Sequence, residues 1–182
     1  MAAIMTKSKV RSVMIFVVCL TLTGCAASDN DRHVRFDKFN RTIEVANWQY
    51  KLRVENQNEV KGRDVQGLTD QYLKATLFVS NHKTGKSLLY SISKDIEDYE
   101  AKYKYLSFSS NDDFYIKYND EYIYPIGYVF EPSNGLSKSE RLVYKFQIAE
   151  DLYSKLMQAG DAVEYWYIDR MVGLGKICFK QQ

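Results

Sequence analysis

Apolar and polar residues alternate with period two along much of this chain, the signature of strands with one buried face. Tyr50, Leu52 and Val54 alternate with Lys51, Arg53 and Glu55. A polar stretch over 56–67 reads as a loop, and Tyr72–Ser80 as a second strand closed by turn chemistry in Asn81-His82-Lys83-Thr84-Gly85-Lys86. Ser87–Ile92 is expected to be a third strand. Tyr115–Tyr118 and Glu121–Tyr124, separated by Asn119-Asp120, predict a two-residue hairpin, and Pro125 ends it or sets it on an edge. Gly127–Phe130 and Arg141–Ile148 follow, divided by the turn Pro132-Ser133-Asn134-Gly135. Val163–Ile168 and Lys176–Lys180, joined through Gly173 and Gly175, complete the pattern.

Two stretches depart from period two. Glu150–Ala159, stopped by Gly160, predicts two to three helical turns with Leu152, Leu156 and Met157 inward. Ile96–Tyr105 mixes charges and tyrosines, and a short helix or a wide loop fits it equally. Many short strands without βαβ alternation predict a mainly β fold, an antiparallel β-sandwich with one or two short helices. The 15 Tyr, 9 Phe and 2 Trp suit a pleated, half-buried surface.

The N-terminal pattern is different. Lys7, Lys9 and Arg11 precede the ten-residue apolar run Val13–Leu22, which is too short to span the roughly 30 Å hydrocarbon core. Leu22-Thr23-Gly24-Cys25 follows at once. This tetrad resembles the lipobox of bacterial lipoproteins. The resemblance implies signal cleavage between Gly24 and Cys25 and lipidation of Cys25, with acyl chains, palmitate among them, holding the protein to a membrane. Two or more chains at about 0.8 kcal/mol per buried CH₂ make such an anchor stable. Ala26 rather than Asp follows the cysteine, so by the same resemblance the destination is the outer membrane if the host is Gram-negative. The expected organisation is a signal peptide over 1–24, a lipidated cysteine and tether over 25–40, and one domain over 41–182.

The leader holds three basic residues and no acidic one, so the 158 residues after it carry a net charge of −1. A nucleic-acid role loses its electrostatic support. Cys19 leaves with the leader and Cys25 is acylated, which leaves Cys178 alone. Lys176-Ile177-Cys178-Phe179-Lys180 sets Cys178 opposite Ile177 and Phe179, and a free cysteine is expected to be a small buried hydrophobe.

The order of β cues over residues 48–150 also resembles the immunoglobulin-like domains of bacterial surface lipoproteins. Phe78-Val79-Ser80-Asn81 ends an early strand, and Phe130-Glu131-Pro132 precedes the strand Leu142-Val143-Tyr144-Lys145-Phe146. The segment 94–113 is an insertion with no place in that pattern. The resemblance implies a fold and no activity.

Catalytic chemistry has little to start from. His33 and His82 are the two histidines, neither has a second His or Cys at ligand spacing, and no G-x-S-x-G elbow exists. Val172-Gly173-Leu174-Gly175-Lys176 lacks the spacing and the Ser or Thr of a phosphate loop. Asn111-Asp112-Asp113 and Asn119-Asp120 read as turn residues before they read as calcium ligands, and Glu97, Asp98 and Glu100 as a solvated acidic stretch. No pattern calls for a cofactor. The aromatics remain. Alternation through Tyr165-Trp166-Tyr167 exposes either Trp166 or the flanking tyrosines, and Tyr122, Tyr124 and Tyr128 cluster near Pro125. Tyr165, Trp166, Tyr167, Tyr122 and Tyr124 are therefore the expected binding surface. The expectation is a non-catalytic, lipid-anchored envelope protein that binds a protein partner, with a surface glycan as the alternative ligand.

Overall fold

The computed structural model describes residues 35–57, 70–134 and 136–180. The polar stretch expected over 56–67, the leader, the Leu22–Cys25 tetrad and His33 lie wholly or almost wholly outside the described residues. Two antiparallel sheets carry the fold. The first holds β1 (Lys38–Val45), β2 (Trp48–Asn56), β3 (Asp70–Asn81), β7 (Ser139–Ala149) and β6 (Gly127–Glu131), in that spatial order. The second is ordered β5 (Glu121–Ile123), β4 (Phe114–Tyr118), β8 (Val163–Asp169) and β9 (Gly175–Phe179). The fold is a mainly β, two-sheet structure, consistent with the expected sandwich.

The inner faces meet through aromatic rings. Phe39 of β1 packs on Tyr165 of β8 with centroids 4.8 Å apart, and Tyr50 of β2 on Tyr167 at 6.1 Å. Phe114 of β4 lies against Tyr144 and Phe146 of β7 at 4.7 and 6.0 Å. Each large ring removed from water contributes about 1.5–3 kcal/mol, which makes this layer the main source of cohesion.

Hydrogen bonds then fix how the sheets align. The Tyr50 hydroxyl donates to Asp169 Oδ2 at 2.8 Å, joining β2 to the end of β8. Asp169 Oδ1 also accepts from the backbone N–H of Met171 and Val172, both at 3.0 Å, and so shapes the turn into β9. At the other end of β8 the Tyr165 hydroxyl donates to the Phe36 carbonyl. Burial first, and the Asp169 carboxylate second, push the Tyr50 phenol far above its ordinary value, so it stays a donor.

Two departures from the sequence reading have physical causes. The domain begins before residue 41: Phe36, Asp37 and Phe39 are buried, and β1 starts at Lys38. Its hairpin to β2 turns through Ala46-Asn47, with Ala46 at φ +54°, a turn without the glycine that normally advertises one. Ser87–Ile92 is not a strand. Leu88–Ile92 forms a short helix, α1, because Leu88 and Leu89 are both buried, and neighbouring residues of a half-exposed strand point to opposite faces. One isolated bridge, Ser80 to Ser87, is all that Ser87–Ile92 shares with strand pairing among the described residues. Ile96–Phe108 is a helix, α2, capped by Asp95, whose side chain accepts from the Asp98 N–H at 2.8 Å. Glu150–Ala159 is helical as expected (α3), with Leu156 buried and Leu152 and Met157 packed beside it.

Asp113 fastens α2 to the small sheet. Its Oδ2 accepts from the Tyr105 hydroxyl (2.7 Å) and the Ser110 hydroxyl (2.9 Å), and its Oδ1 from Arg170 Nε (2.9 Å). Glu140 of β7 is buried too, and its carboxylate accepts from the Leu89 N–H at the start of α1. Burial outweighs those bonds and raises its carboxyl above the ordinary value of 4.5.

Two tyrosines with unlike surroundings test the polar part of this core. Tyr50→Phe is expected to lose about 1.5–3 kcal/mol in urea unfolding, the worth of a bond to a charged group. Tyr144→Phe is expected to fall within about 1 kcal/mol of the parent or above it, because the buried Tyr144 hydroxyl makes no well-formed hydrogen bond among the described residues, with the Ser110 hydroxyl as a polar neighbour. Equal losses from both would show that the Asp169 bond does not set the stability. Glu140 tests the charge. Its raised carboxyl means that the folded state holds the proton more tightly, so its contribution is complete below about pH 4.5 and is lost as pH rises through the folded value. Thermal unfolding across pH 4 to 8 should therefore show Glu140→Gln gaining on the parent as pH rises; parallel curves would remove this account.

Candidate functional site

The outer face of the four-stranded sheet gathers an aromatic cluster around Tyr115, with Tyr122 and Tyr124 exposed; Tyr90, Tyr103 and Phe108 are exposed elsewhere, on α1 and α2. Along β8, Val163, Tyr165, Tyr167 and Asp169 point inward, and Glu164, Trp166 and Ile168 outward. Along β4, Phe114 and Ile116 point inward, and Tyr115 and Lys117 outward. Tyr115 is paired in register with Trp166, and Trp166 with Cys178 of β9. Lys117 is paired with Glu164 on one side and Tyr122 on the other. Two rows of outward side chains therefore cross the sheet, one aromatic and one charged.

Tyr115 lies at the centre of the aromatic row. Its ring is nearly parallel to Trp166 (centroids 6.3 Å apart, 11° between planes), and it contacts Tyr122 at 5.6 Å and Tyr124 at 5.9 Å. Those neighbours cover it to 7% exposure, while Tyr122 and Tyr124 remain 52% and 53% exposed. Trp166 is half-buried, and its ring N–H donates to Glu164 Oε2 at 2.9 Å, which fixes the indole. Lys117 Nζ stands 5.9 Å from the Tyr122 ring centre, and Lys180 Nζ 3.6 Å from Glu164 Oε1. The result is an amphipathic surface of exposed tyrosines on a fixed base, bordered by both signs of charge.

The expected binding residues divide between the two faces. Trp166, Tyr122 and Tyr124 share this surface. Tyr165 and Tyr167 do not: each is 1% exposed, one against Phe39 and the other against Tyr50, so they are corrected from surface to core. The alternation of β8 forces that division. Tyr128 is separate from Tyr122 and Tyr124, because β6 belongs to the other sheet; its ring packs on Tyr144 and its hydroxyl donates to the Leu106 carbonyl at 2.6 Å. Tyr115, the central residue of the patch, was missed from the sequence. Its signal was available, since it lies one residue from Ile116 in an alternating strand that leads into Tyr122 and Tyr124.

Cys178 is half-buried on this same outer face, opposite Ile177 and Phe179, rather than fully enclosed. Burial, then Glu164, push its thiol above the ordinary value of 9.0, so little thiolate forms at neutral pH. Asp113 accepts from Tyr105, Ser110 and Arg170, and Asp98 pairs with Lys102 at 2.5 Å. Among the described residues no group of three or more His, Cys, Asp or Glu side chains is placed to hold a metal ion. No family model matches this chain, and no curated protein or solved structure matches it.

Because Trp166 is the register neighbour of Cys178, the indole should shield the thiol. Peptide-resolved mass spectrometry is expected to show Cys178 alkylated more slowly than a free thiol at pH 7, and several-fold faster in Trp166→Ala. Unchanged labelling in that variant would mean that the indole does not cover this part of the face.

Proposed function

We propose that this protein is a lipid-anchored, non-catalytic component of the cell envelope that binds a protein partner through the aromatic outer face of its four-stranded sheet, as an accessory subunit of an envelope assembly. The observation that carries the reading is the joint exposure of Tyr122 and Tyr124 over the fixed Tyr115–Trp166 pair. Exposed tyrosines with few rotatable bonds lose little conformational entropy when a partner covers them, and aromatic residues are enriched at such interfaces. The anchor rests on the resemblance of Leu22-Thr23-Gly24-Cys25 to a lipobox, with the outer membrane as its destination in a Gram-negative host.

A surface glycan is the second reading, and one observation favours it: the patch is bordered by the polar groups of Lys117 and Glu164, beside ring faces on which a sugar stacks. The sandwich itself we read as a distant immunoglobulin-like variant. Its two antiparallel sheets support that grouping. Its departure is the run β1-β2-β3, three successive strands adjacent in one sheet.

Photo-crosslinking in cells tests the partner. A crosslinking amino acid at Tyr122 is expected to capture one envelope protein, and the same probe at exposed Asp151 is expected not to. Cys25→Ser should move the protein out of the membrane fraction and weaken the crosslink. No adduct at Tyr122, together with retention on an array of envelope oligosaccharides, would replace the partner by a glycan; identical adducts at both positions would remove the assignment of this face.

A further inference from the structure

The opposite outer face, that of the five-stranded sheet, has a different chemistry. Cross-strand register sets Lys51, Phe78 and Arg141 side by side on β2, β3 and β7, with Gln49, Ser80 and Ser139 in the next row. Arg53 and Lys74 pair with Glu55, and Arg141 with Glu131, so the carboxylates on this face are largely engaged by those cations. Lys51 and Lys138 have no ion-pair partner among the described residues.

Those two lysines line a hollow of about 450 Å³ at one end of the face, together with His82, Phe78, Ser80 and Ser139. No acidic side chain lines it. Glu44, the nearest carboxylate in register, accepts from Gln49 Nε2 at 2.9 Å and so orients that amide at the edge. The rim is fixed in advance. Buried Asn81 accepts from the N–H groups of Lys83 and Thr84 at 3.1 and 3.0 Å, its carbonyl accepts from the Gly85 N–H at 2.9 Å, and the His82 N–H donates to the Asn47 carbonyl at 3.0 Å. Gly85 has φ +64°, which a side chain would resist. The loop that presents His82 is thus held by four hydrogen bonds.

We infer that this hollow binds an anionic saccharide, a sugar unit bearing a phosphate or carboxylate. Five of the lining side chains carry that recognition. Lys51 and Lys138 neutralise the anion as flexible point charges. The half-buried Phe78 ring offers an apolar face to the C–H side of a pyranose, and the Ser80 and Ser139 hydroxyls serve the sugar's own hydroxyls. The volume is that of an ordinary small-ligand site. Such a unit reaches the hollow either as a soluble sugar or as the headgroup of a lipid. This inference concerns the sheet opposite the aromatic patch and does not depend on the function proposed above.

Isothermal titration of the full-length protein in mild detergent separates the contributions, with circular dichroism checking each variant's fold. Glucose 6-phosphate is expected to bind saturably and to weaken with added salt, inorganic phosphate to bind less tightly, and glucose not to bind. The double variant Lys51→Gln/Lys138→Gln should lose about tenfold in affinity for glucose 6-phosphate. Phe78→Ala should weaken glucose 6-phosphate and leave inorganic phosphate unchanged. Lys145→Gln, on the same face but outside the hollow, should change neither. Equal losses from Lys145→Gln and the lysine pair would overturn the site in favour of a diffuse basic surface, as would binding that survives the double variant. No binding of glucose 6-phosphate, with binding to phosphatidylglycerol vesicles that the double variant abolishes, would overturn the saccharide and assign the cations to a lipid phosphate.

Discussion

The register of β8 governs the rest of this domain. A strand has only two faces, and a slip of one residue exchanges them. Here two hydroxyls prevent the slip from both ends, Tyr50 reaching Asp169 and Tyr165 reaching the Phe36 carbonyl. With β8 fixed, Tyr165 and Tyr167 are delivered to the aromatic layer between the sheets, and Trp166 is delivered to the opposite side. The core and the outer aromatic surface are consequences of the same constraint. Neither can be altered without reference to the other.

The period-two segments were legible because half-buried strands leave an unambiguous alternation. β2, β3, β4, β7 and β8 all contain the segments that show it. β1 was hidden for two reasons. Arg41 interrupts the apolar set Phe39, Ile43 and Val45, and the turn Ala46-Asn47 carries no glycine. Ser87–Ile92 misled because Leu88-Leu89 belongs to either element by composition, and Glu140, the group that receives the Leu89 N–H, lies 51 residues away. Of the surface, Tyr122, Tyr124 and Trp166 were readable as candidates. The division of Tyr165-Trp166-Tyr167 was readable as alternation but not as direction, since which face meets the core depends on Tyr50 and Phe39 in another sheet.

Charge is unevenly distributed as well. Residues 25–182 carry a net charge of −1, yet individual patches depart from that balance. The five-stranded outer face carries lysines and arginines beyond what Glu55 and Glu131 engage, whereas α2 opens with Asp95, Glu97 and Asp98. Overall charge is therefore a poor description of what any one ligand meets. The aromatic side suits a surface that is covered over a broad area, and the basic side suits a compact anion held in a hollow.

The bond between Tyr165 and the Phe36 carbonyl also has a mechanical meaning. Chain arriving from the N-terminal side enters the fold at residues 35–37, where Phe36 and Asp37 are buried, and Phe36 is clasped from the far sheet before β1 begins. Tension along that entry therefore loads the junction of the two sheets before it reaches the β1–β2 ladder. An edge strand pulled from its end would otherwise peel one hydrogen bond at a time. The clasp makes the first event a concerted rupture of buried contacts.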